Sequence, residues 1–153
     1  MVDVDGVISL FGFEPSSPPD GNWTTVDGIP HYLSASAGEH LRTLSGSYEL
    51  AWCTGWEEKA NEYLPHALGL PRPLPVLSFD DAVADGSAHW KLAAIERFAG
   101  AQRPLAWVDD AHDLRCDQWA LEREAPTLLV GTDPARGLTE AQVHTLLEWV
   151  TDV

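Results

Sequence analysis

Short apolar runs alternate along this chain with segments of helical periodicity, and this alternation is the feature that most limits its fold. Such alternation is typical of an α/β protein, in which helices connect neighbouring parallel strands. A length of 153 residues suits one domain. We therefore expect a single α/β domain, residues 1–153, built on a parallel sheet of about five strands.

The alternation predicts five strands and five helices. The predicted strands are Met1–Val4, Tyr48–Cys53, Leu74–Phe79, Leu105–Val108 and Thr127–Val130. The predicted helices are Ala35–Leu44, Trp56–Leu68, Trp90–Ala99, Leu114–Glu124 and Glu140–Val150. Thr139 and Gln142 predict a capping box at the start of the last helix, with Leu138 packing on Val143.

The first strand is unusually short, because only Met1 and Val2 precede Asp3. A buried strand usually has about 5–6 residues. Either the natural chain begins upstream of Met1, or this strand is a short one.

Residues 7–34 differ from the rest, since prolines, glycines and serines predict an irregular loop or flap there. Trp23–Thr25 and Ile29–Tyr32 can pair across Asp27-Gly28, which is a favoured turn dipeptide. Pro30 lacks a backbone donor, so we expect a weak or edge hairpin. Trp23 and Tyr32 would then either cover a site or anchor the loop.

The charge and the cysteines narrow the class of protein. A formal net charge of −15 repels polyanions and argues against a broad nucleic-acid-binding surface. No apolar run approaches the ~20 residues that span a bilayer. Cys53 and Cys116 are expected to be buried thiols rather than a disulfide. We expect a soluble, cytoplasmic protein.

Acidic residues follow the first and fourth predicted strands. Asp3 and Asp5 stand two apart, so on a strand they would project the same way. One carboxylate could attack phosphorus, while the other protonates the leaving oxygen and then activates water. Together with Asp109 and Asp110 they would repel one another without a hard cation, and Mg²⁺ prefers such oxygen ligands.

Two further residues fit the same chemistry. Thr54, followed by Gly55, ends the second predicted strand, and Lys91 lies at the start of a helix. A hydroxyl and an ammonium can bind the non-bridging oxygens of a phosphoryl group. Ligands in parallel α/β sheets bind beyond the carboxyl ends of the strands. These residues are therefore expected to meet.

Four motifs in residues 3–110 resemble the four signature motifs of the haloacid dehalogenase-like superfamily. They are Asp-x-Asp-Gly-Val, a strand-end Thr, a helix-opening Lys and an apolar pair before Asp-Asp. The resemblance implies a three-layer, Rossmann-like fold with helices on both faces of the sheet. It also implies a phosphatase, because Asp5 fills the acid/base position that dehalogenating members lack.

Residue by residue, the resemblance implies Asp3 as nucleophile and Asp5 as acid/base, both at the metal. It places Thr54, Gly55 and Lys91 on the phosphate. The remaining metal ligands would be Asp109 and Asp110, and Asp113 could replace or join Asp110 because Asp-x-x-x-Asp is another acidic spacing of the family.

Segments 52–61, 89–91 and 133–139 also resemble small actinobacterial members related to the phosphatase-like domain of Swiss Army Knife RNA repair proteins. These have no large cap domain, and no gap between the motifs here has room for one. The resemblance implies an exposed terminal phosphate as substrate, on a small molecule, a nucleotide or a nucleic-acid end.

Trp56 and Trp90 flank the expected cleft, one after Thr54 and one before Lys91. They could stack on a substrate, although core packing is the simpler interpretation. His89 and His112 lack the spacing of a zinc site and are expected to be hydrogen-bonded loop histidines.

The expected function is Mg²⁺-dependent phosphomonoester hydrolysis through an aspartyl-phosphate on Asp3. Two alternatives stay open on sequence alone. One is a non-catalytic module that binds Mg²⁺ and a phosphorylated partner, or acts as an interaction protein. The other is a phosphotransferase that passes the group to an acceptor other than water.

Overall fold

A computed structural model describes residues 1–79, 86 and 88–153. The strands in this part of the chain are β1 (Ser9–Leu10), β2 (Gly21–Val26), β3 (Ile29–Ser34), β4 (Leu105–Asp109) and β5 (Thr127–Gly131). The helices are α1 (Ala37–Leu44), α2 (Lys59–Leu68), α3 (Leu92–Ala99), α4 (Leu114–Glu122) and α5 (Glu140–Trp149). A short 3₁₀ helix, His89–Lys91, leads directly into α3.

Parallel pairing lies at the centre of the molecule. β4 and β5 pair in parallel, from Leu105 with Thr127 to Asp109 with Gly131. The other three predicted strands contribute single parallel bridges: Val2 with Trp52, Val2 with Val108, and Trp52 with Val76. The α/β class is therefore confirmed, whereas a continuous five-stranded sheet is not.

Helices pack on both faces of β4, because alternate residues of a strand point to opposite sides. Ala106 and Val108 belong to a buried cluster with residues of α1, α2 and α5. Leu105 and Trp107 belong to a second cluster, with Ile95 of α3 and Cys116 of α4. The carboxyl end of β4, where Asp109 lies, is thus held between two packed layers.

The predicted hairpin is present and longer than expected. β2 and β3 pair antiparallel, with Val26 opposite Ile29 on either side of the turn. Asp27 and Gly28 both have positive φ, +51° and +81°, as a tight two-residue hairpin turn requires. β1, which falls within the predicted loop, adds to the other edge of β3 in the order β1-β3-β2.

Three helices begin later than predicted, and the first of them, α1, starts at Ala37 rather than Ala35. α2 starts at Lys59 rather than Trp56 because Glu57 has a φ of +47°, which a right-handed helix cannot contain. α3 starts at Leu92 rather than Trp90, after the 3₁₀ turn.

The predicted start of α5 is confirmed: Thr139 and Gln142 form the capping box. Leu138 and Val143 are both buried in the same cluster. Cys53 and Cys116 are buried free thiols, also as predicted. Within the described ranges, no helix combines the length and apolarity needed to cross a bilayer.

Candidate active site

A buried ammonium lies between two buried carboxylates at the carboxyl end of β4. Nζ of Lys91 is 2.8 Å from Oδ2 of Asp3 and 2.7 Å from Oδ2 of Asp109. The three residues are 4%, 6% and 0% exposed, respectively. Asp3 follows the bridging residue Val2, and Lys91 ends the 3₁₀ helix that leads into α3. Asp3 and Asp109, which are 106 positions apart in the sequence, thus meet in one buried cluster.

Asp110 adds a third carboxylate to this cluster. One oxygen from each of Asp3, Asp109 and Asp110 lies within 4.8 Å of the others. The backbone of Gly6 passes directly against Asp110. Gly6 has a φ of +71°, and a Cβ at this position would come within 2.4 Å of Cγ and Oδ2 of Asp110. A glycine is therefore required here both by conformation and by space.

The electrostatics of the cluster are unbalanced, with three carboxylates against one ammonium. Burial raises the pKa of Asp3 to about 7; the Lys91 ammonium opposes this shift, and the charge of Asp109 adds to it. Burial and Asp109 also raise the pKa of Asp110. Burial alone would lower the pKa of Lys91, but Asp3 and Asp109 hold it above its usual range. An added cation would favour the ionised carboxylates.

Asp5 lies outside this group of three. The side chain of Asp5 is 52% exposed, and its Oδ2 accepts a 2.9 Å hydrogen bond from the indole N–H of Trp56. The backbone N–H groups of Ile8 and Ser9 both bond to the carbonyl of Val4, so the chain turns there instead of continuing as a strand. Asp3 and Asp5 therefore do not lie on one regular strand, and Asp5 is not part of the group of three, although, besides burial and Asp109, its charge helps to raise the pKa of Asp110.

His31 is a neighbour of Asp5 that the sequence analysis missed. Its Nδ1 is 3.9 Å from Oδ1 of Asp5 and 3.0 Å from Oγ of Ser9, and its ring centroid is 4.5 Å from that of Trp56. The Asp-Gly turn predicted a strand that contains His31. Nothing in the sequence predicted β1, whose pairing with β3 brings His31 to this side of the site.

Thr54, Gly55 and Trp90 lie on the loops around the cluster. Thr54 is 1% exposed, and its Oγ1 accepts a 3.3 Å hydrogen bond from the backbone N–H of Trp56. A Cβ on Gly55 would lie 3.9 Å from the Trp90 ring, in ordinary contact. The Trp90 ring packs against Phe79 at 4.7 Å between centroids. These contacts agree with the core-packing interpretation of Trp90.

Both carboxylate oxygens of Asp113 have hydrogen-bond partners outside the Asp3 cluster. Its Oδ1 accepts from the backbone N–H groups of Arg115 and Cys116, which caps the start of α4. Its Oδ2 is 2.7 Å from Nδ1 of His89, and this contact lowers the pKa of Asp113 to about 2. Asp110, not Asp113, therefore belongs with Asp3 and Asp109.

The expectation for the two histidines is right for His89 and wrong for His112. His112 packs edge-on against Trp107, with 4.5 Å between ring centroids. Its Nε2 and the indole nitrogen of Trp107 are both buried without a hydrogen-bond partner among the described residues. Burial lowers the pKa of His112, which favours the neutral ring.

A cavity of about 1130 Å³ lies at the opposite end of the parallel segments, where Met1, Ala51 and Leu105 contribute to its lining. None of the expected site residues lines it. Because ligands of parallel α/β folds bind at the carboxyl ends of strands, its size does not make it the active site.

No protein-family model matches the chain, and no curated protein matches it closely enough to be counted as a relative.

Proposed function

We propose that this chain is a Mg²⁺-dependent phosphohydrolase in which Asp3 is the nucleophile. The observation that carries the proposal is the buried contact of Lys91 with both Asp3 and Asp109, next to Asp110. Burying charged groups is unfavourable unless they are paired. A fold that brings four of them together, three of one sign, is suited to a ligand that carries both signs. A metal ion with a bound phosphate is such a ligand.

The donor set fits Mg²⁺, since Asp3, Asp109 and Asp110 supply only carboxylate oxygens. These three residues would hold the ion. When bound, Mg²⁺ would neutralise charge on the carboxylates and on the phosphoryl oxygens. Lys91 would then be available to bind a phosphoryl oxygen, and Thr54 could donate its hydroxyl to another.

The reaction would have two steps. In the first, a carboxylate oxygen of Asp3 forms a bond to phosphorus, the bond from phosphorus to the ester oxygen breaks, and Asp5 donates a proton to that leaving oxygen. In the second, Asp5 takes a proton from water as the water oxygen forms a bond to phosphorus and the bond from phosphorus to the Asp3 oxygen breaks. Inorganic phosphate and the free Asp3 carboxylate result.

The exposure of Asp5 and its bond to Trp56 support an acid/base role. A proton donor must reach both the leaving group and incoming water, and a side chain 52% exposed can do so. The indole N–H of Trp56 holds Oδ2, so Oδ1, which lies 3.9 Å from Nδ1 of His31, would be the oxygen that carries the proton. Trp56 is thus a positioning residue in this proposal.

The order of the parallel segments supports a Rossmann-like arrangement. The bridges run from Val76 to Trp52, then to Val2 and to Val108, and β5 follows β4. This places the segment that precedes Asp3 in the middle of the order, next to both the segment that precedes Thr54 and the strand that ends at Asp109. Central positions of this kind are where open α/β folds bind ligands.

Hydrolysis of 4-nitrophenyl phosphate tests the proposal. We expect release of nitrophenol in Mg²⁺, its loss in EDTA, and its loss in Asp3→Asn. Asp152→Asn, which changes an exposed carboxylate at the far end of the chain, is the matched control and should keep the activity. Turnover by Asp3→Asn at the wild-type rate would refute the role of Asp3. Binding of Mg²⁺ and phosphate without turnover would favour the non-catalytic module instead. Transfer to an added alcohol in preference to water would favour the phosphotransferase.

A further inference from the structure

A second cavity, of about 380 Å³, opens beside Asp5 between the residues after β1 and the β2–β3 hairpin. Its side chains are mostly aromatic, and the ring-bearing residues that line it are Phe11, Phe13, Trp23, His31 and Tyr32. Asp5 lines the same cavity, so the cavity is continuous with the proposed acid/base. A ligand in this cavity would lie next to Asp5.

Two of these aromatic side chains are exposed to solvent. Trp23 is 67% exposed and Phe11 is 48% exposed. Neighbouring exposed aromatic side chains are unusual on a surface without a ligand. Single exposed apolar residues need no explanation, but these two line one cavity.

The buried side of the cavity is formed by Tyr32, whose position is fixed by a hydrogen bond and by ring contacts. Tyr32 is 7% exposed and donates its hydroxyl to the carbonyl of Pro19 at 2.7 Å. The ring of Trp23 lies edge-on to Tyr32 at 5.1 Å, and that of Phe13 lies at 4.9 Å. Aromatic rings in such contacts hold one another in position. The rings of Trp23 and Phe13 are therefore held against Tyr32 before a ligand binds.

The charge of the lining selects the ligand. Among the described residues that line it, none is a lysine or an arginine, and Asp5 is the acidic one. A second phosphate or a nucleic-acid backbone would meet a carboxylate with no cation to balance it. A neutral ring would meet aromatic faces. Its size is also suitable, because a cavity of about 150 Å³ is enough for benzene.

We propose that this cavity binds a neutral, planar aromatic ring on the leaving group of a small phosphate monoester. The inference rests on the proposed function and deepens it, because it names the substrate class. The phosphate would lie at Asp3 and Lys91, the ester oxygen at Asp5, and the ring against Trp23 and Phe11.

Paired esters with similar leaving groups provide the test. Benzyl phosphate and cyclohexylmethyl phosphate both release a primary alcohol, so a difference in kcat/KM reports on the ring and not on leaving-group chemistry. We expect wild type to favour the benzyl ester by at least about fivefold, the lower limit for stacking one aromatic ring on another. Equal kcat/KM for the two esters would overturn the proposal.

Variants locate the effect. Phe11→Leu and Trp23→Leu remove a ring but keep an apolar side chain, and each should reduce the benzyl preference several-fold. Trp23→Phe should restore most of it. Phe98→Leu is the matched control, since Phe98 is 43% exposed but lines the cavity at the other end of the molecule. An unchanged preference in folded Phe11→Leu and Trp23→Leu, or an equal fall in Phe98→Leu, would overturn the assignment.

If a variant does not fold, an NMR measurement on the wild-type protein tests the same placement. With Mg²⁺ and the non-hydrolysable benzylphosphonate, nuclear Overhauser contacts should join the ring protons of the ligand to those of Trp23 and Phe11. Contacts to Phe79 and Trp90 instead would refute the placement. A nucleoside 5′-monophosphate and a 5′-phosphorylated trinucleotide distinguish the source of the ring: we expect turnover of the first and at least tenfold lower kcat/KM for the second.

The two proposals fail in different ways. If neither ester is hydrolysed in Mg²⁺, or if Asp3→Asn hydrolyses both, the proposed function is wrong and the substrate class falls with it. If both esters are hydrolysed through Asp3 without a benzyl preference, only the substrate class is wrong.

Discussion

Replacing Lys91 by methionine tests the electrostatics of the site most sharply. Methionine keeps an unbranched apolar stem of similar length, so the packing of this 4% exposed side chain changes little. The ammonium is lost, and with it both short contacts, 2.8 Å to Asp3 and 2.7 Å to Asp109. Two buried carboxylates then remain without their cation.

Breaking a buried ion pair by removing one partner costs about 3–5 kcal/mol. Proton uptake reduces the loss, because Asp3 already has a pKa of about 7 and is easily neutralised. We therefore expect Lys91→Met to lower the free energy of unfolding by about 3 kcal/mol in metal-free buffer at pH 8. The loss should be smaller at pH 6. Magnesium should stabilise the variant more than it stabilises wild type, because a cation bound to the folded state then meets less positive charge.

Urea denaturation in EDTA and in Mg²⁺, at both pH values, measures these differences. Lys59 is the only other lysine, and its exposed side chain contacts Asp27 on the hairpin turn. Lys59→Met is therefore the control, and it should change stability little and without dependence on Mg²⁺. A loss below about 1 kcal/mol for Lys91→Met in EDTA, or equal stabilisation of both proteins by Mg²⁺, would refute the reasoning.

Three further predictions concern the supporting structure. Gly6→Ala should destabilise the protein by more than about 1 kcal/mol, since φ is +71° and the new Cβ would clash with Asp110; a thermal melt within error of wild type would contradict this. Thr139→Ala should cost about 1 kcal/mol in urea by removing the capping box, while Thr139→Ser should cost much less. Because His89 lowers the folded-state pKa of Asp113 to about 2, this pair stabilises the fold above about pH 4 and loses its effect as pH falls towards 2; the stability difference between wild type and Asp113→Asn should shrink over that range in acid-dependent urea melts.

Local signals were sufficient wherever neighbouring residues decide the structure. Thr139 and Gln142 form their capping box from within one turn of helix, and Asp27-Gly28 forms the hairpin turn through its own backbone preferences. The meeting of Asp3 and Asp109 was also predictable, because parallel strands end at one edge of a sheet.

Long-range packing decides the features that sequence did not predict. Asp5 is not one of the three grouped carboxylates, because the chain turns at Val4, and its partners Trp56 and His31 come from positions 51 and 26 residues away. Glu57 has a left-handed backbone, so the helix predicted from Trp56 begins three residues later. Local sequence patterns do not predict contacts between residues that lie far apart in the chain.

The aromatic cavity also combines features that the sequence predicts with long-range packing that it does not. The aromatic residues of the 7–34 segment were visible in the sequence, and the hairpin that carries Trp23 was predictable. Their convergence beside Asp5 depends on β1, a two-residue strand within a predicted loop. Two residues are too few for a periodic pattern to identify a strand.

Trapping the phosphoryl group on the enzyme tests the central claim most directly. In Asp5→Asn, 4-nitrophenyl phosphate should still phosphorylate Asp3, because nitrophenol leaves without a proton donor, but water would no longer be activated. Acid-quenched enzyme should then carry one phosphoryl group, found by tandem mass spectrometry on Asp3 and formed only with Mg²⁺. A stoichiometric burst with the group on Asp3 is the predicted result. A phosphoryl group on any other residue, or hydrolysis with Asp3 unmodified throughout, would contradict the account.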